Sequence, residues 1–499
     1  MRRGCRFLLL MLLLVAPVQA RAAAVPDSVV TAGLERTMAA AAAEGFRGAV
    51  LVARGENVLL ARGYGTTVPG GNSPITAETV FTTGSITKQF TATAILKLET
   101  QGKLSVQDKL GRWFDAVPAD KSGITLHQLL THTAGFPGAI GDDRERIGRD
   151  AYVQRALATP LLFAPGARYE YSNVGYSLLA AIVEKASGQD YEPFLHDQLF
   201  VPAGMHDTGY RLPAWDPARL AHGSNDDGSD WGTTMEHAIL PEGPGWNLLG
   251  NGGIHSTVFD MLRWHRALAG DAILPAAARA QMITKQVEEG GGTWYGYGWS
   301  IEPTDWGTLI THNGGNPYYF ADFLRFLDSD VVIYYTTASR ERRMRRLARP
   351  LARIVFTGEV PALPPSVPAA AASQSTSPVG APAAPGSLAS KWGLPGGPQA
   401  QRAAELLEAL TTSDAAWRRD FVRTGFVPDV LESQGEDALD QSLVALRDEL
   451  AEFRVQRVVP TADGLTLVLE TPGAPTELEI SVEPEPPHRI ISIGVQKGG

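Results

Sequence analysis

Thr82-Thr83-Gly84-Ser85-Ile86-Thr87-Lys88-Gln89-Phe90 sets a serine and a lysine three residues apart. Ile86, Phe90, Ala94 and Leu98 then fall on one stripe and Gly102 follows, which predicts a helix over Ser85–Leu98. Three residues is nearly one helical turn, so Ser85 and Lys88 share a face. An amine held beside a hydroxyl and partly desolvated loses its charge near neutral pH and can take the hydroxyl proton. The helix N-terminus also favours negative charge developing there. Read alone, the pair is also an ordinary polar helix start with a solvated lysine.

Upstream, Phe46–Ala53 and Asn57–Tyr64 read as strands around a turn at Arg54-Gly55-Glu56. Downstream, helical patterns dominate to about Leu268, including Tyr176–Lys185 with Gly188 as its stop. Strand patterns return at Tyr295–Ile301, Thr308–Thr311, Tyr319–Phe326 and Val331–Thr337, and Met344–Phe356 reads as a helix. Strands therefore begin and end this unit. The simplest closure is α+β: one antiparallel sheet built from both chain ends, flanked by helices, with an all-helical insertion.

The 499-residue chain holds more than this unit. Arg2, Arg3 and Arg6 precede the apolar run Phe7–Val15, and Val18-Gln19-Ala20 fits a cleavage site, so residues 1–20 read as a signal peptide and the protein as exported, periplasmic or secreted. The one cysteine, Cys5, lies in that leader, which excludes disulfides and thiol chemistry from the mature chain. No later apolar run is long enough for a membrane span. The net charge of −10 carries no electrostatic footprint for nucleic acid. Residues 359–398 are rich in Pro and Ala, with no charge between Glu359 and Lys391, and read as a linker. This bounds a large unit at 25–358 and a small α+β unit at 399–499. The small unit shows helical patterns at Ala400–Leu410 and Ala438–Leu450, then four strand-like runs. Its element order weakly resembles the nuclear transport factor 2-like superfamily, and partner binding is its open role.

No serine has glycines at both −2 and +2, which disfavours the G-x-S-x-G hydrolases. Ser85-x-x-Lys88 is the only S-x-x-K. Tyr171-Ser172-Asn173 is the only Y-x-N, and His312-Asn313-Gly314, followed by Gly315, is the only H-x-G. In this order the three resemble the serine β-lactamase and penicillin-binding-protein-like superfamily. The nearest branch is that of class C β-lactamases, D-alanyl-D-alanine carboxypeptidases, D-aminopeptidases and esterases. Ile124–Gly135, Phe163–Gly166 and Gly252–Thr257 resemble the family's connecting segments, so the similarity runs over roughly 30–358.

The resemblance implies roles. Ser85 would be the acylated nucleophile and Lys88 its base. Tyr171, with a pKa lowered by Lys88, would be the second proton-transfer group. Asn173 would bind the acyl side. The N–H groups of Ser85 and Gly315 would form the oxyanion hole, with Gly315 on an edge strand. His312 and Gly314 would complete the substrate site. No cofactor and no metal is implied. The substrate would be a small ester, amide or peptide, including D-amino-acid amides. Many relatives carry lysine where this chain has His312, and a histidine is mostly neutral at pH 7, which weakens the case for β-lactams. A non-catalytic ligand binder or sensor on the same fold is the rival reading, and a true β-lactamase a further one.

Other candidates are plainer. His127 and His132 are five apart with no nearby acid, so they make no metal pair. His255 and His265 read as structural. Trp294, Tyr295, Tyr297 and Trp299 read as core or cleft wall, and Tyr318 and Tyr319 as possible cleft lining.

Overall fold

A computed structural model describes residues 24–363 and 387–497, apart from 226, 240–242, 291, 340–341, 395–397, 451, 462–463, 472–475 and 484–486. The leader and most of the linker lie outside the described residues. Strands β1 (Gly48–Arg54) and β2 (Asn57–Tyr64) form the expected hairpin. Six more follow late in the unit: β3 (Val287–Gly290), β4 (Thr293–Tyr295), β5 (Ser300–Thr304), β6 (Gly307–Gly315), β7 (Phe320–Phe326) and β8 (Val331–Thr337). The sheet order is β2-β1-β8-β7-β6-β5-β4-β3, every neighbour antiparallel. Gly48 lies opposite Thr337 and Arg54 opposite Val331, so the two ends of the unit pair in one sheet as expected.

The apolar run of β1 explains why both sheet faces are covered. Side chains alternate across a strand. Ala49, Leu51 and Ala53 enter one core, and Val50 and Val52 the other. The second core is closed by helix α1 (Asp27–Ala43) through Val30, Leu34 and Met38, and by α5 (Ala348–Thr357) through Leu351 and Val355. The first holds α2 (Thr87–Thr100), α3 (Asn173–Ser187) and α4 (Val258–Ala269), with Phe90, Ile95, Leu179 and Trp264 fully buried. This helical side carries the site.

Two expectations need correction. Tyr295–Ile301 is not one strand: β4 ends at Tyr295 and β5 begins at Ser300. Between them Gly298 sits at φ 76°, and a Cβ there would lie 2.9 Å from the Lys88 carbonyl oxygen, so the chain must turn where it meets α2. Likewise β6 is an interior strand, not an edge. Its pairing with β5 stops at Thr311, however, so His312–Gly315 run past β5 and are flanked only by β7.

Residues beyond the linker form their own core. Helices Leu388–Lys391, Pro398–Thr411, Ala415–Gly425, Pro428–Gln434 and Glu436–Leu450 precede four antiparallel strands in sequential order. Leu406, Leu410, Phe421, Leu467 and Ile480 pack together there.

Candidate active site

Ser85 lies in a 3-10 turn, Gly84–Ile86, that leads directly into α2. Gly84 takes φ 55°, and β6 runs against it: a Cβ on Gly84 would lie 2.6 Å from Gly315 N, and one on Gly314 2.4 Å from Ser85 N. Only glycine fits at either place. The close approach brings the Ser85 and Gly315 amides to one spot, as an oxyanion hole requires.

Lys88, one turn along, is wholly cut off from solvent. Its Nζ lies 2.7 Å from Asn173 Oδ1, 2.8 Å from Asn251 O and 3.2 Å from Ser85 Oγ. Burial pushes the amine well below its usual value, with Asp143 opposing weakly. A neutral amine has two N–H bonds and one lone pair. The two shorter contacts go to oxygens that only accept, so the N–H bonds point there and the lone pair is left for Ser85 O–H. In its neutral form the Lys88 amine is therefore placed to accept the Ser85 proton.

Tyr171 precedes α3, whose N-cap is Ser172. Lys88 Nζ sits 4.7 Å from its ring centroid. The expected lowering of its pKa is reversed: burial raises the phenol, and the Ser85 hydroxyl only partly offsets this. The cause is the burial of the phenol itself, which is the largest effect on it. Tyr171 therefore stands as a phenol, a proton donor rather than a phenolate.

His312 is 7% exposed. Its Nδ1 lies 2.5 Å from Asn313 O and its Nε2 3.1 Å from Tyr295 Oη, so Nδ1–H donates to the carbonyl and Nε2 accepts. Burial, then Lys88, lowers its pKa to about 3. It offers no charge to a substrate carboxylate.

A cavity of about 310 Å³ opens over these groups. Ser85, Asn173 and Gly315 line it; Lys88, His312 and Gly314 are buried beneath. Across from Ser85 stand Trp231 and Tyr318, stacked at 3.9 Å, with His237 4.2 Å from Trp231. Asp142, Asp143 and Arg144 complete the rim. Of the two tyrosines after the third motif, Tyr318 lines the cavity and Tyr319 is buried, its hydroxyl donating to Ala221 O at 2.9 Å. Among the described residues no His, Cys, Asp and Glu cluster is arranged for a metal.

The chain matches the Beta-lactamase family over residues 33–356. It belongs to that family. Penicillin-binding protein 4* of Bacillus subtilis is 30% identical over 314 residues, 59% of this chain and 69% of that protein. Esterase EstB of Burkholderia gladioli is 30% identical over 290 residues, 50% of this chain and 73% of the esterase. A solved penicillin-binding protein from Bacillus halodurans superposes with a TM-score of 0.52 at 27% identity, covering 62% of this chain and 95% of that one. Within the family the chain is a serine hydrolase. No helix among the described residues is long and apolar enough to cross a membrane.

Three participants lay outside the sequence reading. Asn251 contributes a backbone carbonyl, which no side-chain pattern reveals. Trp231 reaches the cleft from a segment with no motif. His132, passed over as half of a metal pair, packs against Tyr171 with ring centroids 4.4 Å apart.

Proposed function

We propose that this is an exported hydrolase that cleaves esters or D-amino-acid amides and peptides through an acyl-enzyme on Ser85. The observation that carries it is the fully buried Lys88 amine, 3.2 Å from Ser85 Oγ, whose pKa burial pushes well below its usual value, toward the neutral form that can take the Ser85 proton. As Oγ attacks the carbonyl carbon, its proton passes to Lys88. The oxygen of the tetrahedral intermediate gathers charge between the Ser85 and Gly315 N–H groups. Collapse breaks the bond to the leaving group, which takes the Tyr171 hydroxyl proton. The Lys88 ammonium returns a proton to Tyr171. Water then adds to the acyl carbon and delivers its proton to the same base, and Ser85 leaves reprotonated. Asn173 holds the acyl side at the cavity wall.

The neutral His312 favours esters and amides over β-lactams, whose carboxylate would find no cation from this residue. The leader supports export, and the small C-terminal unit, with a separate core, is proposed to serve a partner rather than the chemistry. A fluorophosphonate probe tests the nucleophile: the wild type should be labelled and Ser85→Ala should not, and a wild type that resists labelling would exclude the acyl-enzyme. A panel of p-nitrophenyl esters, D-alanyl peptides and nitrocefin then separates the substrate classes.

A further inference from the structure

The loop 130–138 grips the segment bearing Tyr171 at five points. Tyr176 Oη donates to Leu130 O at 2.8 Å, Glu170 N to His132 O at 2.9 Å, and Ser172 Oγ to Pro137 O at 2.7 Å. Asn173 N donates to Gly138 O at 2.9 Å, and Ser172 N to His132 Nδ1 at 3.0 Å. Four of these acceptors are backbone carbonyls, which any residue supplies. The fifth is an imidazole, placed beside the residue that must present its hydroxyl to Ser85.

His132 is shaped for that place. It is 2% exposed and takes φ 58°, a left-handed conformation that histidine, asparagine and aspartate tolerate better than other side chains. Its ring is tilted 35° to that of Tyr171. Tyr176 and Tyr295 bound it at 5.0 and 4.7 Å, and Tyr169 at 5.7 Å. Because Nδ1 accepts from Ser172 N–H, the ring proton sits on Nε2, which is buried and has no partner among the described residues. A buried N–H left unsatisfied is a liability unless the position needs the rest of the ring. An asparagine here could accept the same bond, at the cost of its own buried amide N–H groups, but would offer no ring face to Tyr171, so the ring does something besides cap Ser172. What it does is form the floor under the Tyr171 phenol.

We propose that His132 is a positioning residue for Tyr171: its Nδ1 bond to Ser172 N–H and its ring face set where the phenol hydroxyl stands relative to Ser85 and Lys88. It touches neither the cavity nor Ser85, so it acts through Tyr171. This rests on the acyl-enzyme reading, in which Tyr171 gives its proton to the leaving group.

The test is leaving-group dependence. Loss of a displaced proton donor hurts basic leaving groups and spares those that depart as stable anions. Fluoride from a fluorophosphonate and p-nitrophenolate need no proton; ethoxide does. In the full-length chain, His132→Ala should keep fluorophosphonate labelling of Ser85 and p-nitrophenyl butyrate turnover within about threefold of wild type. Ethyl butyrate turnover should fall by about tenfold or more. His132→Asn, which keeps the acceptor and tolerates the backbone, should recover part of the ethyl ester rate; His132→Gln, with its amide one carbon farther out, should not. In the Tyr171→Phe background, His132→Ala should cause no further loss, because the two act as one unit. An equal fall for both esters, a multiplicative double variant, or Asn no better than Gln would overturn the proposal. Should His132→Ala fail to fold, the Asn and Gln pair carries the same comparison. Failure of the acyl-enzyme reading is distinguishable, because the wild type itself would then resist labelling.

Discussion

Lys88 in the large unit and Arg418 beyond the linker are both shut away from water, but among different partners. The Arg418 guanidinium meets Asp440, Nε to Oδ1 at 2.7 Å, with side-chain exposures of 8% and 10%. Lys88 meets only neutral oxygens. A buried cation with a carboxylate stays charged and holds two elements together. A buried amine without one gives up its proton and becomes reactive. The difference separates chemistry from architecture within one chain, and it can be broken from either side.

The largest effect is expected at Lys88. Lys88→Met should lower acylation by about a thousandfold or more while leaving the thermal midpoint unchanged or higher, because it removes a desolvated amine and keeps the volume. The wild-type rate should climb as pH passes the depressed pKa and level off well below 10.5, the ordinary lysine value. The stability sign follows from the same shift. The folded pKa lies below the unfolded one, so the unfolded chain binds more protons between them and stability rises with pH across that window. Lys88→Met should flatten that rise in urea titrations at several pH values. A variant that still acylates at the wild-type rate would remove Lys88 from the mechanism.

Arg418→Met makes the contrasting case. It should leave ester turnover alone and destabilise the C-terminal unit by about 3 kcal/mol or less, because Asp440 loses its 2.7 Å partner and keeps only Arg419 Nε at 3.7 Å. Arg418→Met with Asp440→Leu should regain much of this, read from the urea midpoint of the C-terminal transition. Loss of turnover in the single variant would tie that unit to the chemistry.

Gly314→Ala comes next. Its Cβ would lie 2.1 Å from Thr83 O, so β6 must withdraw from the nucleophile turn and carry Gly315 N with it. A fall in kcat of about a hundredfold, the usual loss of an oxyanion donor, is expected together with a lower urea midpoint, because the clash is with backbone atoms that must move.

Most of the scaffold was legible in the sequence because period-two and helical patterns report burial directly. Phe46–Ala53 and Val331–Thr337 are apolar strand runs, and they pair as interior strands of the sheet. The strand β3 was not read, since Val287-Glu288-Glu289-Gly290 offers a single apolar residue to a period-two pattern. Gly296 and Gly298 hid a turn inside an aromatic-rich run, because the turn answers to α2, a partner distant in sequence. The motif residues were legible as residue types in order, yet their protonation was not. Tyr171 reads as lowered if Lys88 is a cation beside it, and stands raised because its own burial outweighs the Ser85 hydrogen bond.

The smallest effect is expected where a second buried base is held neutral. His312 Nε2 lies 3.1 Å from Tyr295 Oη, and Tyr295→Phe removes that hydroxyl together with its hydrogen bond to Tyr176. The imidazole keeps its Nδ1 bond to Asn313 O, and burial still disfavours a charge. Unfolding free energy should therefore fall by about 1 kcal/mol for each bond lost, with ester turnover within about threefold of wild type. Nitrocefin hydrolysis should not appear, because an uncharged ring has nothing new to offer a carboxylate. If this variant instead gains activity on anionic substrates, His312 takes a proton more readily than its surroundings indicate. The contrast between a reactive neutral Lys88 and a passive neutral His312 would then have to be redrawn.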